Sequence, residues 1–323
     1  MNKNTLDISI IIVNWNTKDL LIECLNSLEE QKGTFQKEVI VVDNGSSDGS
    51  QAAVRASFPK VQVIENKANL GFAKANNIGI KASKGRYLCL INSDVKVLDG
   101  CLDQLVRYMD QETSIGIVGP KILWPDMALQ DSCRKFPSLW NNICDLLHLN
   151  RLFPKSDIFS SEHMMFFDHM TIRNVEGLVG CFLMIRKDAL EKIGLFDEQF
   201  FIYFEETDLC KRFRDKNWKI VFFPDAQAIH YGRKSSSKDA SRFSFEQLKS
   251  KIQYWKKQHR RLTVIIILFI LLMQHSLRLV VDGIHYITSP SKRLEIIRQL
   301  STNYFTIKYI LTGKYGNREQ SVE

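Results

Sequence analysis

The chain has 323 residues with 45% hydrophobic and 25% charged side chains, values that suit one large globular domain with an appendage. Its net charge of +8 is local: ten Lys or Arg between Arg233 and Arg261 face only Asp239 and Glu246, and the remainder is neutral. A basic stretch beside one segment, with no recognisable basic and aromatic module, argues against nucleic acid as a partner.

Met1 to Asp7 is polar and leads directly into a strand, so it does not read as a signal peptide. Ile8 to Val13 is a β-branched run of the kind buried in parallel sheets, closed by Asn14-Trp15-Asn16-Thr17. Lys18 to Glu30 then puts Leu20, Leu21, Cys24, Leu25 and Leu28 on one helical stripe, with Thr17 as N-cap. A second strand, Val39 to Val42, ends in the turn-rich Asp43-Asn44-Gly45-Ser46-Ser47-Asp48-Gly49. A helix over 50–57 and a strand over 61–65 complete a β-α-β-α-β alternation, which predicts a parallel sheet with right-handed crossovers. Neither a dinucleotide fingerprint nor a P-loop is present. The strand ends are instead rich in Asp and Asn, which can hydrogen-bond a base and ribose.

Asn69-Leu70-Gly71-Phe72-Ala73-Lys74-Ala75-Asn76-Asn77 opens a helix whose small residues permit close approach to the sheet. The apolar strand around Tyr87 to Ile91 runs into Asn92-Ser93-Asp94. Open α/β sheets bind ligands at strand carboxyl ends, so Asp94 is a candidate metal ligand, although a turn that caps the next element satisfies the same tripeptide. A helix over 100–111 and a strand over 115–120 follow; Lys121 to Asp168 has no clear period and reads as loops and short helices that contribute to acceptor binding. Val175 to Ile185 reads as one glycine-bearing strand and Arg186 to Ile193 as a helix. Glu205-Glu206-Thr207-Asp208 then starts a helix behind five aromatic residues between Leu195 and Phe204. Acids favour a helix N-terminus through its dipole. Three carboxylates behind an aromatic run also supply a raised pKa, as a general base requires. Strands over 218–223 and 226–230 end at His230, a structural or a ligating histidine, before a basic loop, Arg233 to Lys238, suited to closing over a diphosphate. The seven cysteines form no C-x-x-C pair and read as free buried thiols.

Taken in order, Ile11-Ile12-Val13-Asn14-Trp15-Asn16, Val41 to Ser50, Asn69 to Asn77, Leu90 to Asp94, Gly194-Leu195-Phe196-Asp197-Glu198 and Phe201 to Arg212 resemble the family 2 glycosyltransferases of the GT-A fold. Within that family the resemblance is to the bacterial rhamnosyltransferase-like branch that builds cell-surface polysaccharides. It implies an α/β fold with a mostly parallel sheet flanked by helices: a catalytic domain over 1–240 and a C-terminal helical, membrane-associating region over 241–323. It implies that Asp43 meets the uracil or thymine ring of a nucleotide-sugar donor, and that Asn14, Asn69, Gly71, Asn77 and Asn92 line the nucleotide site. Asp94 and His230 should hold a divalent metal, Mg or Mn. Glu206 takes the position of the base, with Glu205 and Asp208 beside it. The reaction implied is an inverting transfer of a sugar, rhamnose being one candidate, from a dTDP- or UDP-donor to a glycan or lipid-linked acceptor. Two departures stand out: Asn92-Ser93-Asp94 replaces an Asp-x-Asp motif, and the base is Glu where Asp is usual. The reduced motif also suits a non-catalytic scaffold that binds nucleotide-sugars. A nucleotidyltransferase would want a basic Gly-rich loop after the first strand, which Asn14 to Lys18 does not supply.

Leu262 to Met273 is a run of 12 nearly all-apolar residues, and extension to Val281 takes in Gln274, His275, Ser276 and Arg278. A hydrocarbon core takes about 20 apolar helical residues. Basic residues flank both ends, so a single span would leave one basic flank outside. An in-plane or re-entrant anchor on the cytoplasmic face of the membrane is the preferred reading, over a span and over a buried core helix. Ser289-Pro290 introduces a last amphipathic helix over 291–311.

Overall fold

The computed structural model describes residues 6–232 and 240–313. The basic loop expected to close over a diphosphate, Arg233 to Lys238, lies outside the described residues. In chain order the first elements are β1 (Ile8–Asn14), α1 (Lys18–Glu29), β2 (Lys37–Asp43), α2 (Ser50–Ser57), β3 (Gln62–Glu65), α3 (Phe72–Ala82), β4 (Tyr87–Asn92), β5 (Val95–Val97), α4 (Cys101–Gln111) and β6 (Ile115–Leu123). There follow β7 (Cys133–Arg134), α5 (Leu139–Leu146), α6 (Leu149–Leu152), β8 (Arg173–Asn174), β9 (Gly177–Leu178), β10 (Phe182–Arg186), α7 (Lys187–Ile193), α8 (Glu205–Asp215) and β11 (Lys219–His230). The chain closes with α9 (Ala240–Gln258), α10 (Arg261–Thr288) and α11 (Arg293–Thr312).

The main sheet runs β3-β2-β1-β4-β10-β6-β11-β5, with β8 paired to β11. The first four strands are mutually parallel, as the alternation predicts. The sheet as a whole is mixed, because β10 lies antiparallel between β4 and β6 and β5 is antiparallel to β11. Successive side chains of a strand point to opposite faces. Ile8, Ile10 and Ile12 accordingly join α1 and α4 in one core, while Ile11 joins α3, α7 and α8 in another. Both faces of β1 are therefore buried, which is why its sequence is continuously apolar.

Two elements differ from the sequence expectation near the site. The single strand expected over 175–185 is two short pieces, β9 and β10, and the break at Gly180-Cys181 faces a cavity. The two strands expected over 218–230 are one, β11, with a register irregularity between Phe223 and Gln227 that spans Pro224; Pro lacks the donor a regular ladder needs. All seven cysteines are buried and free.

α9 falls inside the region expected as an appendage, yet it packs on the sheet domain. Ser250 Oγ donates to Ile202 O at 2.8 Å, Lys257 Nζ to Asp197 Oδ2 at 2.6 Å, and Gln258 Nε2 to Asp208 Oδ1 at 2.7 Å. Leu248, Ile252, Tyr254 and Trp255 of α9 form a third core with Phe200 and with Ile267, Ile270 and Leu271 of α10. α10 is one continuous helix of 28 residues, long and apolar enough to cross a membrane by length and composition. Its outer side exposes Leu262, Ile265, Phe269, Leu277, Val280 and Ile284. α11 packs back along α10, joined through His275 Nδ1 to Asn303 Oδ1 at 2.8 Å and Asn303 Nδ2 to Asp282 Oδ2 at 2.9 Å.

Candidate active site

The carboxyl ends of β1, β2 and β4 lie side by side, with Asn14 opposite Asp43 and Val13 opposite Asn92. In such a sheet this is where a ligand crevice forms. A cavity of about 510 Å³ opens here, lined among others by Trp15, Asn44, Asn69, Gly71, Asn92, Asp94, Arg134, Glu205, Glu206 and His230.

Asp43 lies just behind the cavity wall, fully buried. Its Oδ2 accepts from Asn14 Nδ2 at 2.9 Å, and its Oδ1 from the Ser46 amide at 2.8 Å and Gln51 Nε2 at 2.7 Å. Asn14 Oδ1 accepts from Thr17 Oγ1 at 2.8 Å, and the Thr17 and Ser93 hydroxyls are 2.7 Å apart. Thr17 stands at the N-cap of α1 but makes no side-chain cap bond. Its hydroxyl instead continues a polar chain from Gln51 through Asp43 and Asn14 to Ser93, next to Asp94.

Asn44 organises the adjoining wall. Its Nδ2 donates to Asn69 Oδ1 at 2.9 Å and Gly71 O at 3.2 Å, while its Oδ1 accepts from Asn66 Nδ2 at 3.0 Å. Gly71 has φ +87° and the position of a Cβ there lies 2.5 Å from Phe201 O, so no other residue fits without displacing the 201 backbone.

On the other side of β4, pairing of β11 with β5 sets His230 opposite Val95. His230 Nε2 lies 3.3 Å from Asp94 Oδ1, and Nδ1 is held at 2.9 Å by Gln130 Oε1. With Nδ1 donating to Gln130, the Nε2 lone pair of a neutral ring faces the Asp94 carboxylate, an arrangement suited to a shared cation. Asn92 Oδ1 is buried and has no hydrogen-bond partner. Carboxylate, imidazole and an orphaned amide oxygen form a donor set that fits Mg or Mn. These cations take remaining ligands from phosphates and water. Among the described residues there is no cluster of three or more His, Cys, Asp or Glu suited to a metal.

Glu205 and Glu206 open α8 behind Tyr203 and Phe204, two consecutive non-glycine residues at φ +68° and +67°. Such backbone costs about 1–3 kcal/mol per residue and concentrates at functional sites. It turns both carboxyls to the cavity, where Oε2 of each lacks a hydrogen-bond partner. Burial raises both pKa values above the ordinary glutamate range, and the neighbouring Glu206 charge raises Glu205 further. The pair therefore holds a proton more tightly than ordinary glutamates do. Gly180 stands against the Glu206 side chain, 3.5 Å from Cβ to Cβ were an alanine built there.

Asn77 and Asp208 do not reach the cavity. Asn77 is spent on the 196–198 turn: its Nδ2 donates to Phe196 O at 2.9 Å and Glu198 Oε1 at 3.0 Å, and its Oδ1 accepts from the Phe196 amide at 3.0 Å. Asp208 is fully buried between Arg212 Nε at 2.9 Å, Lys257 Nζ at 2.9 Å and Gln258 Nε2. Both are pins between elements. Conversely, Gln130, Arg134, Trp15 and Phe243 line the cavity without having been assigned a role from sequence. Trp15 and Asn44 sit inside motifs that were read, so position within them was the available signal. Gln130 and Arg134 lie in the aperiodic segment after Lys121, where no pattern marks them.

The fold and this cavity define a GT-A glycosyltransferase architecture. A mannosyltransferase from Pyrobaculum calidifontis, PcManGT, solved with GDP-Man and Mn2+, superposes with a TM-score of 0.55 at 15% identity over 96% of this chain and 88% of its own. GalNAc-T7, solved with UDP, GalNAc and Mn2+, gives a TM-score of 0.54 at 16% identity over 71% of this chain, which spans 44% of that structure. The glycosyl transferase family 2 description matches residues 9–194, and the chain belongs to that family. Among curated relatives, the N-acetylglucosaminyl-diphospho-decaprenol L-rhamnosyltransferase of Mycobacterium tuberculosis is 29% identical over 62% of this chain and 68% of its own. The low-salt glycan biosynthesis hexosyltransferase Agl10 of Haloferax volcanii is 28% identical over 69% of this chain and 67% of its own.

Proposed function

We propose that the protein is an inverting glycosyltransferase of cell-surface polysaccharide synthesis, associated with the cytoplasmic face of the membrane. It moves a sugar, with rhamnose the leading candidate, from a dTDP- or UDP-donor to a glycan or lipid-linked acceptor. The observation that carries this reading is the pairing, in one cavity, of two adjacent carboxyls, each with a buried Oε2 that lacks a partner, with the Asn92, Asp94 and His230 donor set. The M. tuberculosis relative, named for a rhamnosyl transfer to a diphospho-decaprenol-linked sugar, supports the choice of substrates.

Glu206 removes the proton from the acceptor hydroxyl. The acceptor oxygen then attacks the anomeric carbon in line, and the bond from that carbon to the diphosphate oxygen breaks, inverting the centre. The chain from Gln51 through Asp43 and Asn14 to Ser93 fixes the wall against which the nucleoside rests, and Asn44, Asn69 and Gly71 shape its edge. A divalent cation on Asp94 and His230, with Asn92 alongside, would supply Lewis acidity to the leaving diphosphate.

The apolar outer side of α10 supports membrane association, and its packing supports an in-plane placement over a span. Val264, Ile267, Ile270 and Leu271 are seated on the protein, and the polar His275–Asn303–Asp282 chain ties α10 to α11. The basic residues Arg260, Arg261, Arg278, Arg293 and Arg298 flank this surface, as anionic lipid favours.

Calorimetry of UDP and dTDP with and without Mn2+, followed by hydrolysis assays over a panel of nucleotide-sugars, tests the reading. Metal-dependent binding with turnover of at least one donor is expected. Metal-independent binding without turnover of any donor would instead establish the scaffold reading.

A further inference from the structure

Among the described residues, Arg134 is the one lysine or arginine in the cavity wall, and the reaction described above does not use it. Its backbone is fixed by the β7–β9 pair, where Arg134 stands opposite Gly177. Among the described residues its side chain donates a single hydrogen bond, from Nη1 to the carbonyl of its neighbour Cys133 at 2.8 Å, and it makes no ion pair within 4.0 Å. Burial lowers its pKa from the ordinary value, yet a guanidinium remains charged in a protein. Arg134 is half-buried, and its remaining donors are open toward the cavity, where they are placed to receive an anionic ligand. Asp131, Glu162 and Glu206 are among the acidic groups that act on it.

We propose that Arg134 binds the diphosphate of the acceptor, so that the acceptor is a sugar carried on a lipid diphosphate. This rests on the reading of Glu206 as the base. The planar fork of a guanidinium matches phosphate oxygens two at a time. Glu206 must reach a hydroxyl on the acceptor sugar, and a diphosphate on the anomeric carbon of that same sugar lies one ring away, the separation expected of two neighbouring side chains. The chain beyond Arg134 also leads the right way for a lipid. Within a few residues it enters α5, which packs on α10, and α5 with the stretch after it exposes Trp140, Leu147, Leu152, Phe153 and Ile158.

The test compares two probes on the full chain in detergent: decyl diphospho-N-acetylglucosamine and decyl N-acetylglucosaminide, which lacks the diphosphate. The wild-type protein should bind the first about tenfold or more tightly than the second. Arg134→Gln should bind both alike, and Arg134→Lys should keep part of the preference, because it retains charge without the fork. UDP and dTDP binding in the presence of Mn2+ should not change in either variant. A wild-type protein without the preference, or an Arg134→Gln protein that keeps it, overturns the proposal. So does a loss of UDP or dTDP binding on substitution, since the guanidinium would then serve the donor. If Arg134→Gln does not fold, the wild-type preference and Arg134→Lys decide. Should the wild-type chain bind neither nucleotide, the donor site fails while the decyl probes still judge Arg134 separately.

Discussion

Two adjacent buried carboxyls do not ionise independently, because the second charge must form beside the first. Burial pushes Glu205 and Glu206 upward, and the Glu206 charge pushes Glu205 further. The acid limb of the transfer rate should therefore fall off above the ordinary glutamate value of about 4.3, as a pH profile of kcat under saturating donor would display. Stability carries the same sign. A carboxyl whose folded pKa is raised stabilises the fold fully below its unfolded pKa and loses that contribution as pH rises through the folded one. Glu205→Gln should accordingly raise the melting temperature relative to wild type at pH 8 and not at pH 4, and an equal effect at both values contradicts the assignment. Asp43 is held by three donors. Asp43→Ala leaves the Asn14, Ser46 and Gln51 donors unpaired and should cost on the order of 3 kcal/mol in urea unfolding. The polar strand ends that carry these residues are readable in sequence, since Asn14, Asp43 and Asp94 each follow an apolar run. Side-chain direction is not readable. Asn77 and Asp208 occupy motif positions next to site residues, but a helix turn points them at the 196–198 turn and at α9.

At the scale of elements, α8 and α9 are held together by one buried charge. Asp208 receives Arg212, Lys257 and Gln258 at once, so Asp208→Ala leaves a lysine and an arginine facing an empty site. Loss of about 3–5 kcal/mol is expected on breaking such a buried pair, measured by urea unfolding of the full chain. The helices and parallel strands of the first half were legible because each has a clean period and polar punctuation. In the second half α7 and α8 were legible too, but strand direction and the segment from Lys121 to Asp168 were not. β10 runs antiparallel between parallel neighbours, and no local pattern in Phe182 to Arg186 distinguishes the two directions. The role of α9 in lining the cavity through Phe243 was hidden for a related reason: its basic composition suggests a lipid-facing flank, while its apolar residues are spent on Phe200, Trp15 and α10.

For the whole molecule, the cavity and the α10–α11 hairpin are joined by the core that Trp255, Tyr254 and Phe200 form with Ile267 and Leu271. A lipid-borne acceptor would thus be met by a surface rigidly connected to the reacting carboxyls. The apolar run was legible as an apolar helical segment. Its length was underestimated, because Gln274, His275 and Arg278 look like an end in sequence and are absorbed within one helix, His275 against Asn303. Replacing exposed Ile265 and Phe269 by Asp should abolish sedimentation with vesicles containing phosphatidylglycerol while leaving UDP and dTDP binding unchanged. Retained sedimentation would remove α10 as the anchor.

The central claim, that Glu206 deprotonates the acceptor in a donor site of otherwise intact geometry, is tested most directly by single-turnover transfer with Glu206→Gln. The substitution keeps shape and hydrogen-bonding capacity but cannot accept the proton. A rate loss of about 10²–10⁴-fold with unchanged nucleotide affinity is the predicted result; transfer at the wild-type rate contradicts it.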